Sequence, residues 1–132
     1  MADILSGEIK ARIEKYLTDP SIRSLSHDDK ALQKIKTDFP AMKARLRLKL
    51  GEVCDDLETF YSMLFDASFV LDERARTTLV AVLIYFLDPF DFLPQGAPLV
   101  GLVDDRLVIA CAAQACRKEI DRFSQSNGQS QA

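Results

Sequence analysis

Four aspartates lie between two of the most apolar runs of the sequence, and their carboxylates are the side chains best suited to chemistry. The apolar runs cover residues 79–87 and 107–113, and the acids between them are Asp88, Asp91, Asp104 and Asp105. Carboxylate oxygens are the hard ligands that Mg²⁺, Mn²⁺ and Ca²⁺ prefer. If the four carboxylates converge, they predict a divalent-metal site and a metal-dependent enzyme.

Prolines around these acids favour a second interpretation, a stiff joint between two buried helices. Asp88 is disfavoured inside a helix because Pro89 follows it. Asp88 as N-cap, Pro89 as first helical residue and Asp91 in the first turn would open one short helical turn. Pro94 then ends that turn and Pro98 begins the next helix. We call residues 88–98 the elbow.

The paired acids Asp104 and Asp105 are expected to be mainly architectural. They lie more than one turn into a helix that begins near Pro98, which is too deep for a cap. A buried carboxylate needs partners, since burying it unpaired is very costly. We expect one of the two to accept hydrogen bonds from the elbow backbone or from an arginine. The candidate arginines are Arg74, Arg76 and Arg106.

This combination of residues resembles the YkvA-like proteins, the family of domain of unknown function 1232. Its hallmark is an apolar helix, a Pro-x-Asp-x-x-Pro elbow, a further proline, a glycine and a paired Asp-Asp. The matching residues, over about residues 74–113, are Pro89, Asp91, Pro94, Pro98, Gly101, Asp104 and Asp105. Gln95 departs from the acid usual after the second proline, which removes one potential metal ligand or base. The resemblance implies a small helical domain of bacterial proteins, near membranes in some relatives, and no established activity.

Composition and periodicity predict one all-α domain of about five or six helices around a central apolar hairpin. The hairpin comprises residues 79–87 and 99–113, the domain spans residues 1–123, and residues 124–132 form a disordered tail. Asp72 is the expected N-cap of the first hairpin helix.

Earlier helix boundaries are predicted from caps and breakers. Ser26 is the expected N-cap of a helix with Asp29 at its third position. Pro40 should then mark a boundary or a kink. A following helical stripe runs from Met42 to Leu64, either as one helix or broken at Gly51.

Charge is unevenly distributed along the middle of the chain. Residues 30–50 contain seven bases and one acid, whereas residues 51–73 contain seven acids and no base. The bases predict either a surface that faces a membrane or partner, or one of two solvated faces that pair with each other.

These observations favour a non-catalytic interaction module, or a module peripheral to the inner membrane, over an enzyme. The sequence contains no nucleophile–base set, phosphate loop or zinc spacing. We expect no cofactor, and the alternative is a bound divalent metal ion. We also expect a cytoplasmic monomer or homodimer that binds a protein partner or a membrane surface. The net charge of −3 argues against nucleic acid. The alternatives are a membrane-inserted hairpin and a metal-dependent enzyme.

Overall fold

The computed structural model describes residues 2–87 and 105–131, and this part of the chain is all-α, as predicted. It forms seven α-helices and one short 3₁₀ turn. In chain order they are α1 (Ala2–Leu17), α2 (Pro20–Leu25), α3 (Asp29–Leu50), the 3₁₀ turn (Gly51–Val53), α4 (Cys54–Phe65), α5 (Glu73–Leu87), α6 (Asp105–Ala115) and α7 (Arg117–Gln131). Helix α2 is short, with six residues, and a single residue, Cys116, separates α6 from α7.

Helix α5 is the centre of the domain. It packs against α1, α2, α3, α4 and α6. Every residue from Thr77 to Ile84 is buried, so the helix has no solvent-facing side over two turns. A helix that is apolar on all sides is stable only when other helices enclose it, which is why the remaining helices form a sheath around α5.

The sheath helices bury one stripe each. Helix α3 buries residues at helical spacing, namely Ala31, Ile35, Phe39, Met42, Leu46 and Leu50. Helix α1 buries Ile13, Tyr16 and Leu17. In the last two helices, Ile109, Cys116 and Phe123 are buried on the stripe that the sequence predicts. Helix α7 continues to Gln131, through part of the segment 124–132.

Two predicted helix boundaries are wrong. Ser26 does not cap α3; it ends α2, where its buried hydroxyl donates to the Arg23 carbonyl at 2.7 Å. The N-cap of α3 is Asp28, whose carboxylate accepts from the Lys30 amide at 3.2 Å. Of the two alternatives for Pro40, the boundary is wrong, because α3 runs through this residue.

Two other boundaries follow the expected chemistry. Gly51 ends α3 with a φ of +64°, a left-handed conformation that a glycine adopts without strain, so the stripe from Met42 to Leu64 is broken there. The Asp72 carboxylate accepts from the Ala75 amide at 2.7 Å, which confirms Asp72 as the N-cap of α5.

Candidate functional site

The elbow is flanked by two helices that pack together. Helix α5 ends at Leu87, and the described part of the chain resumes at Asp105, the first residue of α6. These two helices are the predicted hairpin. The elbow itself and most of the residues singled out from the sequence lie outside the described residues. They are Asp88, Pro89, Asp91, Pro94, Gln95, Pro98, Gly101 and Asp104, and of Asp105 only the backbone is described.

Polar side chains within α5 bond to backbone carbonyls. The Thr77 hydroxyl donates to the Glu73 carbonyl at 2.8 Å, and the Thr78 hydroxyl donates to the Arg74 carbonyl at 2.9 Å. Both threonines are buried. A buried hydroxyl that donates to a carbonyl of the preceding turn makes its hydrogen bond within its own helix. Both hydroxyl groups therefore donate within α5.

Tyr16 ties α1 to the middle of α5. Its hydroxyl donates to the Ala81 carbonyl at 2.9 Å, and its ring meets Tyr85 edge-on at 6.5 Å between centroids. Burial first, and then the charge of Asp19, raise the pKa of the Tyr16 phenol far above its usual value. The phenol is a structural donor at any physiological pH.

The amino-terminal end of α5 carries a charged cluster that the sequence did not predict. His27 Nε2 lies 2.7 Å from Glu73 Oε2, and Arg23 Nε lies 3.3 Å from Glu73 Oε1. The hydrogen bond with His27, followed by that with Arg23, lowers the pKa of the Glu73 carboxyl. This cluster joins α2 and the turn after it to α5, across 50 residues of sequence.

Two of the three candidate arginine partners for the paired acids lie at the end of α5 that is far from Leu87. Arg74 and Arg76 are in the first turn of α5, and 11 residues of helix place Arg76 roughly 16 Å from Leu87. Arg76 instead donates to the Ser26 carbonyl at 2.8 Å. Of the three arginines, only Arg106, in the first turn of α6, is adjacent to the paired acids in the chain.

A groove lies at this same end of the domain, between α1, the first turns of α5 and the last turn of α6. Its volume is about 580 Å³. Its charged lining residues are Lys10, Glu14, Lys15 and Arg74, and its uncharged lining includes Thr78, Cys111 and Gln114. A second cavity of about 410 Å³ shares Thr18 and Arg74 with it. Three helices contribute to the lining of the groove, so the groove exists only in the folded domain.

The uneven charge of the middle segment is partly neutralised within the domain. Lys43 pairs with Glu58 at 2.9 Å, and Arg47 pairs with Asp55. Both pairs connect α3 to α4. The second interpretation of the charge pattern, two oppositely charged faces that pair with each other, is correct for these residues.

The three thiols are unpaired and buried. Burial raises the pKa of the Cys54, Cys111 and Cys116 thiols, and that of Cys116 reaches about 12. A thiol with a raised pKa is a weak nucleophile at neutral pH. These cysteines act as small core residues.

Two further properties concern only residues 2–87 and 105–131. Within these residues, no group of three or more His, Cys, Asp or Glu side chains is placed to hold a metal ion. No helix in the same ranges is both long and apolar enough to cross a membrane.

Fold and hairpin define an all-α domain in which a buried central helix leads through a proline-rich elbow into a second apolar helix. Residues 75–111 match the family model described as "Protein of unknown function (DUF1232)". This match confirms the resemblance to the YkvA-like proteins over most of α5, the elbow and the start of α6, which is less than a third of the chain. Neither a curated protein nor a solved structure gives a significant match.

Proposed function

We propose that this domain is a non-catalytic interaction module of the cytoplasm. It binds a partner protein, or it contacts the inner face of a membrane without inserting into the bilayer. The observation that carries the proposal is the enclosure of α5. The part of the chain that matches the family model contributes an interior helix to the domain, and contacts with other molecules are left to the sheath helices and the elbow.

The polar groups of α5 support a structural role for the matched segment. Thr77 and Thr78 bond to the carbonyls of their own helix, and the Ala81 carbonyl accepts from Tyr16. At the amino-terminal end, Glu73 and Arg76 bond to residues of the α2 region. The bonds of Tyr16, Glu73 and Arg76 join α5 to its neighbours, whereas those of the two threonines lie within the helix. A catalytic group, in contrast, would need a free face toward a substrate.

A cytoplasmic location is supported by the thiols. Three unpaired, buried cysteines are typical of proteins from a reducing compartment. The ion pairs between α3 and α4 reduce the positive charge that an anionic membrane would attract, so the membrane contact in this proposal is peripheral and weak.

A membrane-inserted hairpin is disfavoured by the same enclosure. For α5 to contact lipid, the helices of the sheath would have to separate from it and expose their own buried stripes. The free energy cost would include the exposure of apolar side chains of α3 and α4 that are fully buried, such as Ile35, Leu57 and Phe60.

Alkaline carbonate extraction of cell membranes tests the location of the hairpin. We expect the protein to be released into the supernatant together with a known peripheral protein, because its apolar helices are covered by protein. A known integral protein of the same membranes is the control for incomplete extraction. Retention of this protein in the pellet with the integral control would contradict the proposal and favour the inserted hairpin.

A further inference from the structure

The groove between α1, α5 and α6 carries an excess of positive charge. Its lining contains three cations, Lys10, Lys15 and Arg74, and one anion, Glu14. Within the described residues, none of these three cations forms an ion pair. This distinguishes them from Lys43 and Arg47, which are neutralised by acids of α4.

The arrangement around the cavity brings these charges to one place from distant parts of the sequence. Lys15 lies in the last turn of α1 and Arg74 in the first turn of α5. Burial first, and then Glu14, raise the pKa of the Cys111 thiol, whereas Lys10 lowers it. Charged residues of α1 therefore act on Cys111, which lines the groove.

The cavity also has the size and the mixed lining of a small-molecule site. Its volume of about 580 Å³ is within the range of roughly 300–1,000 Å³ that is usual for such sites. Apolar lining from Ala11, Leu17 and Ala115 lies beside the charged groups. A ligand with an anionic group and a small apolar part would match both kinds of lining.

We propose that this groove binds a phosphate or carboxylate group of a small anionic ligand, with Lys15 and Arg74 as the main contacts. Lys10 contributes at longer range, and Glu14 weakens the binding by repulsion. The site lies at the opposite end of α5 from the elbow. It is therefore independent of what the elbow aspartates do.

Inorganic phosphate, at millimolar concentrations and constant ionic strength, is the probe that tests the groove. The measurement is a titration followed by the amide NMR signals of the full chain. We expect saturable shifts at Lys15, Thr18 and Arg74. Because each charge-assisted contact contributes about a factor of ten in affinity, Lys15→Gln and Arg74→Gln should each weaken phosphate binding about tenfold.

Two further variants make the test specific. Glu14→Gln should bind phosphate more tightly than the unaltered protein, since it removes the one negative charge of the lining. Arg12→Gln is the matched control: Arg12 is an exposed cation of α1 that does not line the groove, so its loss should leave the affinity unchanged. Equal weakening by Arg12→Gln and Lys15→Gln, or the absence of any saturable shift, would overturn the proposal.

Vesicles distinguish a free ligand from a lipid headgroup with the same chemistry. Sedimentation is compared for phosphatidylcholine vesicles with and without phosphatidic acid. Binding to inorganic phosphate alone identifies a soluble ligand. Additional binding to the phosphatidic acid vesicles, lost in Lys15→Gln but kept in Arg12→Gln, identifies a headgroup. Either result supports the site, whereas binding to neither probe refutes it.

Discussion

Leu83→Ala is expected to lower the free energy of unfolding by about 2–5 kcal/mol, the range for a buried leucine truncated to alanine. Leu83 is fully buried in α5, the helix against which α1, α2, α3, α4 and α6 pack. The loss combines the transfer free energy of the removed methyl groups with the cavity that they leave behind. Urea denaturation at neutral pH, followed by circular dichroism, measures this change.

Leu48→Ala provides the matched control for the central helix. Leu48 is the same residue type in a helix, but its side chain is 93% exposed on α3. Its truncation should change stability by no more than about 0.5 kcal/mol. If both variants lose a similar amount, α5 is not the enclosed core of this domain.

Tyr16→Phe is expected to be destabilising at neutral pH and stabilising in strong alkali. At pH 7 the variant loses the hydrogen bond to the Ala81 carbonyl, which is worth about 0.5–1.5 kcal/mol net. The folded state raises the pKa of the Tyr16 phenol above its unfolded value. The contribution of the neutral phenol is therefore complete below the unfolded pKa of about 10, and it decreases above it by about 1.4 kcal/mol per pH unit.

The difference between the two proteins isolates this single phenol. Other groups, such as Cys116, also destabilise the fold in alkali, but they are present in both proteins and cancel. Denaturation curves between neutral pH and pH of about 11 should therefore converge and then cross. Tyr61→Phe is the control, since Tyr61 is only partly buried and stacks on Phe39 at 4.2 Å; its difference curve should be flatter. Parallel curves for Tyr16→Phe would show that its phenol ionises equally in both states.

The central hairpin was predictable from the sequence because its apolar residues are contiguous. Residues 79–87 have no polar side, so a helix formed by them must be enclosed wherever the remaining helices lie. Stripes on the later helices were predictable for a related reason, since the 3.6-residue period places Ile109, Cys116 and Phe123 on one face whatever their partner.

Helix boundaries were less predictable because competing local signals are close in free energy. Asp28 and Ser26 are both good caps, and the choice of Asp28 follows from the burial of Ser26 at the end of α2. An interior proline costs about 3 kcal/mol or more, which made Pro40 a reasonable boundary. The buried residues on both sides of it, Phe39 and Met42, belong to one stripe, and their tertiary packing keeps α3 continuous.

The groove could not be predicted, since its charged residues come from helices about 60 residues apart in sequence. Lys15 and Arg74 are ordinary surface cations when each helix is considered alone. The position of Arg74 and Arg76, in contrast, follows from the sequence, because the predicted N-cap Asp72 places both arginines in the first turn of α5.

The thermal midpoint of Asp104→Asn and Asp105→Asn, with and without Mg²⁺, tests most directly whether the hairpin is a structural core or a metal site. Asp56→Asn, at an exposed acid of α4, is the control for a general charge effect. We predict that one of the two variants, Asp104→Asn or Asp105→Asn, loses about 1–3 kcal/mol of stability. Mg²⁺ should change neither this loss nor the stability of the unaltered protein. The contrary result is that Mg²⁺ stabilises the unaltered protein but neither variant. At a Mg²⁺ concentration of 100 times the dissociation constant, this stabilisation would be about 2.7 kcal/mol. That outcome would identify the aspartates as metal ligands and contradict a non-catalytic module.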